Sequence, residues 1–256
     1  MINIILCGCW GRMGEAVIKS VESGAGANMQ IVAGINIATP NAAPICNFPT
    51  YETISDFPGK ADVIIDFSHH SALPSLVEYA QKTSTPLVVA TTGHTDEELA
   101  LMHRASENVA VFHSGNMSLG INLLMELAKL AEKTLGTDFD IEIVEKHHNK
   151  KLDAPSGTAL MLANAIKENK TDAEYVYDRH TERRAREQNE IGIHSVRGGT
   201  IVGEHEVIFA GFNETITLSH SALSREIFAN GAIKAAAYIA TKTAGLYNMS
   251  DLINGR

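Results

Sequence analysis

Residues 2–14 read INIILCGCWGRMG, a short apolar run closed by three evenly spaced glycines. Ile2–Cys7 has the length and composition of a buried strand, and a helical pattern follows over Arg12–Glu22. Gly8, Gly11 and Gly14 therefore fall at a strand-to-helix turn. The first glycine permits the tight turn, the second lets backbone approach a pyrophosphate, and the third lets helix pack on strand. The helix start adds free N–H groups and the positive end of its dipole. Three glycines alone are a weak sign. At the head of a βαβ alternation they point to a dinucleotide site.

That alternation continues outward. Ile31–Ile35, Val63–Phe67, Leu87–Ala90 and Val109–Phe112 repeat the strand signature, with helical patterns at Pro74–Lys82 and Thr95–Glu107. Thr95 and Glu98 have capping-box spacing. The reading is α/β, a Rossmann-type parallel sheet with helices on both faces. The second half differs. Leu119–Leu135 and Ser156–Lys167 read as helices, and Phe139-x-Ile141-x-Ile143 alternates like a half-buried strand. Ile191–Val196, His205–Phe209 and Thr215–Ser219 then follow one another with glycines between them instead of helices. A second α+β domain on a mixed or antiparallel sheet is expected. Ile227–Thr243 is helical and returns to the first domain. The expected division is 1–117 plus 228–256 for the dinucleotide domain and 118–227 for the other.

The chain has 256 residues, 45% apolar and 20% charged, with a formal charge of −9. That balance argues against nucleic acid or an anionic membrane as partner, and the basic stretch Arg179–Arg186 reads as a solvated loop. No apolar run approaches the roughly 20 residues of a membrane span, and MINIILCG lacks the basic start of a signal peptide. Cys7, Cys9 and Cys46 lack disulfide spacing and fit reduced thiols of a cytoplasmic protein. Cys7-x-Cys9 has no second Cys/His pair to complete a zinc site, so no metal is expected.

Asn36 occupies the end of the second strand, where an acidic residue usually binds the adenosine ribose. Asparagine can bond a ribose without repelling a 2′-phosphate, and Arg12 can pair with one. NADPH is expected to be accepted, with NADH usable too. The loops Ala90-Thr91-Thr92-Gly93 and Ser114-Gly115-Asn116-Met117-Ser118 end strands at the same sheet edge, which favours a nicotinamide pocket there.

Residues 145–159 read EKHHNKKLDAPSGTA. His147 and His148, adjacent at a strand end, point to opposite faces and form a poor chelate. Pro155 suits the approach to a helix, and Ser156-Gly157-Thr158 offers hydroxyls and bare backbone at its first turn. This is an anion seat fit for a carboxylate. A strand end supplying His and Lys beside it suits a small dianion that needs a proton donor.

The motif E-x-H-H-x-x-K-x-D-A-P-S-G-T-A resembles the substrate motif of the 4-hydroxy-tetrahydrodipicolinate (dihydrodipicolinate) reductases of lysine and diaminopimelate synthesis. The similarity runs through the chain: GCWGRMG is like the family's cofactor loop, ATTG like its GTTG, and SGNMSLGIN like its nicotinamide-side loop. EIGIHSVRGGTIVGEH, SREIFANGA and GLYNMSDLI are similar too. The resemblance implies an NADPH- or NADH-dependent enzyme, a small dicarboxylate substrate and a homotetramer built by the substrate domain. It implies acid/base work for His147 and substrate contact for His148. Lys151 takes proton donation or carboxylate binding, and Gly157 and Thr158 hold a carboxylate. Cofactor contacts fall to Gly8, Trp10, Gly11, Arg12, Met13, Gly14, Asn36, Phe67, Thr91, Thr92, Gly93, Ser114, Asn116, Met117 and Arg225. The chain departs from the pattern at Asn36, at His69 where relatives carry arginine, at Ala90, and at Thr200 where aspartate is common.

Three rivals stand beside this reading. A different reductase or an amino-acid dehydrogenase of similar two-domain build has no evident use for the HHNKK and PSGT pairing. An aldehyde dehydrogenase needs a cysteine nucleophile in its second domain, and residues 47–256 contain none. A non-catalytic nicotinamide sensor has no use for His147 and Lys151 beside an anion seat.

Overall fold

The computed structural model describes residues 1–26, 28–36, 46–180 and 183–255. In chain order the elements are β1 (Ile2–Cys7), α1 (Arg12–Glu22), β2 (Met29–Ile35), β3 (Thr50–Tyr51), β4 (Val63–Asp66), α2 (Leu73–Thr83), β5 (Leu87–Val89), α3 (Asp96–Ser106) and β6 (Ala110–His113). Then come α4 (Leu119–Leu135), β7 (Asp140–His147), α5 (Gly157–Lys167), β8 (Glu174–Val176), β9 (Glu190–Arg197), β10 (Gly203–Gly211) and β11 (Glu214–Ala222). The chain closes with α6 (Glu226–Ile239), β12 (Gly245–Tyr247) and α7 (Met249–Asn254). It divides into two compact units, Met1–Leu119 with Arg225–Arg256, and Gly120–Ser224.

In the first unit the strands order β12-β6-β5-β4-β1-β2-β3, and every pairing is parallel. Six of them form the doubly wound order 3-2-1-4-5-6 of a Rossmann sheet. Period-two geometry sends Ile4, Leu6, Val63, Ile65 and Phe112 to the layer of α1 and α6. It sends Ile5, Cys7, Ile64, Leu87 and Val111 to the layer of α2 and α3. Both faces are dry, which is why these strands are apolar at nearly every position.

The second unit carries a mixed sheet ordered β11-β10-β7-β9-β8. β10 runs antiparallel to β7 and β11, while β9 runs parallel to β7 and β8. Ile141, Ile143, Ile191, Ile193, Val207 and Phe209 pack on Ile121 and Leu124 of α4 and Leu162 and Ile166 of α5. The alternate positions carry charge, as where Lys146 meets Glu206 at 2.8 Å and Glu204 at 3.3 Å.

Several expectations need amending. β9, β10 and β11 are longer than their apolar cores suggest, because backbone pairing continues past the last buried side chain. β3, β8 and β12 are two or three residues long, too short for a period to show. α6 stops at Ile239 instead of Thr243, where Thr241 Oγ1 bonds back to the Tyr238 carbonyl at 3.2 Å. The basic stretch is a largely exposed loop over its described residues, as expected, with Thr181 and Glu182 outside them, but it is also anchored. Arg184 pairs with Glu190 at 2.6 Å and Arg186 with Asp140 at 2.6 Å, tying the segment to the sheet.

The capping box is present. Thr95 N donates to Glu98 Oε2 at 2.9 Å, and Glu98 N donates to Thr95 Oγ1 at 3.3 Å. Thr95→Ala is expected to destabilise the protein by about 1 kcal/mol and Thr95→Ser by much less. Urea midpoints check this, and equal loss in both variants would remove the hydroxyl from the account.

Candidate active site

Strand order reverses between β1 and β4, at the centre of the first sheet, and such a point opens a crevice at the strands' carboxyl ends. The chain leaves β1 through Gly8 at φ +77. A Cβ there would stand 2.5 Å from the Phe67 carbonyl oxygen, so the turns after β1 and β4 touch backbone to backbone and only glycine fits. Gly11 is the N-cap of α1 and supplies no side-chain acceptor. The helix start therefore keeps donors for an anion. These features fit a dinucleotide pyrophosphate.

Two cavities flank this loop. One of about 590 Å³ is lined by Gly8, Gly11, Asn36 and Phe67 together with Glu52 and His69. The other, about 440 Å³, is lined by Met13, Phe67, Thr91, Thr92, Asn116 and Met117 together with Phe228. Gly14 is buried in the first turn of α1. Trp10, Arg12, Gly93, Ser114 and Arg225 do not line either cavity. Ser114 instead shapes its loop, donating to the Asn116 carbonyl at 2.8 Å. Trp10 packs against the core, while Arg12 and Arg225 are exposed.

Asp66 fastens two cavity loops together. Fully buried at the end of β4, it accepts from Ser68 N at 2.9 Å and Thr91 Oγ1 at 2.7 Å, and from Ser68 Oγ. Burial raises its pKa, while the Ser68 and Thr91 bonds oppose the rise.

In the second unit, β7 alternates so that Ile141, Ile143, Glu145 and His147 face inward. Glu145 and His147, two residues apart, thus share a side, and Glu145 Oε2 meets His147 Nδ1 at 2.6 Å. Parallel register sets Arg197 of β9 beside His147. Its guanidinium clasps Glu145 with two bonds of 2.7 Å. A further donor is Ser156 N, at 3.1 Å from Glu145 Oε1. Ser156 is also the N-cap of α5, its Oγ accepting from Ala159 N at 3.1 Å and meeting His205 Nε2 at 3.0 Å. One carboxylate therefore links the predicted acid/base histidine to the helix start that carries Gly157 and Thr158.

Room for the His147 ring comes from Gly203, where a Cβ would press to 3.1 Å from Nε2. His148 lies just past β7 and accepts from Lys150 N at 3.2 Å through Nδ1. Lys151 is mostly covered and pairs with exposed Asp153 at 2.9 Å. Gly157 has open space where a Cβ would stand.

Burial raises the Glu145 pKa, but hydrogen bonds from Arg197, Ser195 and His147 and the guanidinium charge outweigh it, holding the group at about 2. His147 lies below its ordinary value through burial, against the opposing pull of Glu145. With Glu145 ionised, Nδ1 of His147 carries a proton and Nε2 is the nitrogen left for exchange.

Glu145, Arg197 and His205 were absent from the residues expected by sequence. The period-two step from Glu145 to His147 was a readable signal; the strand pairing that delivers Arg197 and His205 was not. Phe228, Glu52 and Ser68 of the cavities were missed for the same reason.

The family described as "Dihydrodipicolinate reductase, N-terminus" matches residues 2–117, and "Dihydrodipicolinate reductase, C-terminus" matches residues 120–253. The chain is 52% identical over 254 residues to the 4-hydroxy-tetrahydrodipicolinate reductase of Caldanaerobacter subterraneus subsp. tengcongensis, covering 99% of this chain and 98% of that protein. It is 46% identical over 255 residues to the enzyme of that name from Clostridium tetani, covering 99% and 98%. A solved structure, dipicolinate-bound dihydrodipicolinate reductase from Paenisporosarcina sp. TG-14, superposes with a TM-score of 0.79 at 26% identity, covering 97% of each chain.

The buried histidines predict how stability depends on pH. Burial first, and neighbouring histidines second, push His113 and His205 down to about 4. The unfolded chain protonates each near pH 6.5. Between these limits the unfolded state binds the extra protons, so stability falls as pH drops from about 6.5 toward about 4. From pH 7.5 to pH 5 the loss is on the order of 2 kcal/mol per group. Glu145 adds its own loss only below its unfolded value near 4.3. Urea unfolding at the two pH values checks this, and a flat profile contradicts it.

Proposed function

The chain belongs to the dihydrodipicolinate reductase family, and from that premise we propose how its residues perform the reduction of 4-hydroxy-tetrahydrodipicolinate. The ring loses water across two adjacent carbons, then takes hydride at C4 and a proton at the neighbouring carbon. The net change is gain of a hydride and a proton with release of water, giving tetrahydrodipicolinate. The coenzyme, NADPH or NADH, supplies that hydride when bound. Its pyrophosphate is assigned to the Gly8–Gly14 loop and the α1 N-terminus, and its nicotinamide to the cavity of Met13, Thr91, Thr92, Asn116 and Met117.

The substrate is a small dicarboxylate, as the dipicolinate of the Paenisporosarcina structure suggests. One carboxylate is assigned to Gly157 and Thr158 at the start of α5. There main-chain N–H groups and the helix dipole receive an anion. Lys151 gives a compact cation to the other and exchanges Asp153 for it. His148 contacts the substrate beside them. His147 moves the proton through Nε2, because Glu145 occupies Nδ1. The observation that carries the reading is the Glu145 carboxylate, bonded at once to His147 and to the Ser156 N-cap. Fixing proton donor and anion seat to one rigid group holds the reacting carbon in place.

Assembly as a cytoplasmic homotetramer through the second unit is part of the proposal. Exposed Val196 and Ile216 on that unit and three free cysteines support it. Light scattering tests the assembly.

Lys151→Ala is expected to lower kcat/KM for the substrate by about 10²-fold or more while leaving coenzyme affinity in place. Unchanged turnover and substrate affinity would remove Lys151 from the site. Glu145→Gln deletes the charge that lifts the His147 pKa, so the alkaline limb of the kcat profile is expected to move to lower pH. Coenzyme oxidation followed across pH reads both, and an unmoved limb would take the proton away from His147.

A further inference from the structure

The carboxylate that usually receives the adenosine ribose is missing from the end of β2, where Asn36 stands. The neighbouring strand carries one instead. β2 and β3 run parallel with Ile35 opposite Tyr51, and Asn36 N donates to the Tyr51 carbonyl at 3.0 Å. The next residue after Tyr51 is Glu52, so Asn36 and Glu52 leave the sheet side by side. Both line the cavity of about 590 Å³ that Gly8 and Gly11 also line. We infer that Glu52 is the specificity-determining carboxylate of the adenosine side, bonding the ribose hydroxyls and selecting the coenzyme without a 2′-phosphate.

The charges around this cavity carry the argument. Among the described residues lining it, none is lysine or arginine. The sequence has neither between Lys19 and Lys60, a stretch that spans β2 and β3. Arg12, which follows Gly11 in the glycine loop, does not line the cavity. His69 does, but its Nδ1 is engaged by Ser71 Oγ at 2.9 Å. No ion pair holds Glu52 among the described residues, and it is exposed, so its charge faces whatever fills the cavity. A ribose hydroxyl donates to a carboxylate and gains a charge-assisted bond. A 2′-phosphate has no proton to give there and meets a like charge, with no lysine or arginine among the described lining residues to offset it.

This rests on the dinucleotide reading of the first unit and narrows it to NADH over NADPH. The test is fluorescence titration of both coenzymes, with steady-state KM values, for wild type, Glu52→Gln and Glu52→Lys. Position 52 is exposed, so both variants are expected to fold as wild type does. Wild type is expected to bind NADH about tenfold more tightly than NADPH, and less selectively in high salt. Glu52→Gln brings the ratio toward one, chiefly by improving NADPH, and Glu52→Lys reverses it. Wild type binding NADPH as tightly as NADH, or Glu52→Gln leaving the ratio unchanged, would overturn the inference and leave the dinucleotide site standing. Folded protein that binds neither coenzyme would overturn that site as well.

Discussion

A carboxylate with no exposed surface must have its oxygens met by donors, and Glu145 draws them from His147, Arg197 and Ser156. Removing one partner from a buried charge pair typically costs about 3–5 kcal/mol, because the charge left behind cannot reach water. The second unit is therefore committed around this group. β7 presents it, β9 brings the guanidinium, and the start of α5 brings an amide. The same bonds that satisfy the charge fix the ring of His147 and the first turn of α5. Stability and the geometry of the site come from one set of contacts, and a shift in either strand would break both.

The first unit solves a different problem with backbone instead of charge. Its crevice exists because the helices that follow two paired parallel strands lie on opposite faces at a reversal of strand order, and because Gly8 lets the turns after those strands approach closely. Asp66 then ties the turn after β4 to the loop after β5. Burying an acid there is tolerable because Ser68 and Thr91 donate to it. Cavity walls of this kind are set by fixed backbone and short side chains, so they are formed before any ligand enters.

The fold was readable wherever a strong period met a long segment. Strict βα alternation in the first half required a parallel sheet, and consecutive strands in the second required a mixed or antiparallel one. Thr95 and Glu98 announced their own helix start. β3, β8 and β12 escaped because two or three residues without an apolar run show no pattern, whereas the equally short β5 is all apolar and was read. The candidate site was readable where its parts are contiguous, as in His147 to Thr158. It was hidden where a strand pairing from fifty residues away supplies the partner, as with Arg197, or where a neighbouring strand ends beside another, as with Glu52.

Which chemistry is present follows from the order of residues alone. That order set a glycine loop before a helix, two histidines and a lysine ahead of a Ser-Gly-Thr helix start, and enough apolar alternation to bury two sheets. These are local properties, encoded by residues within one or two turns of each other. Which groups are charged, held and aimed depends on the packing of distant residues. Glu145 is an anion at about 2 because Arg197 faces it, and His147 offers Nε2 because Glu145 takes Nδ1. Such effects depend on burial and on distances of a few ångströms between residues far apart in the chain, and those are fixed only when the sheets close.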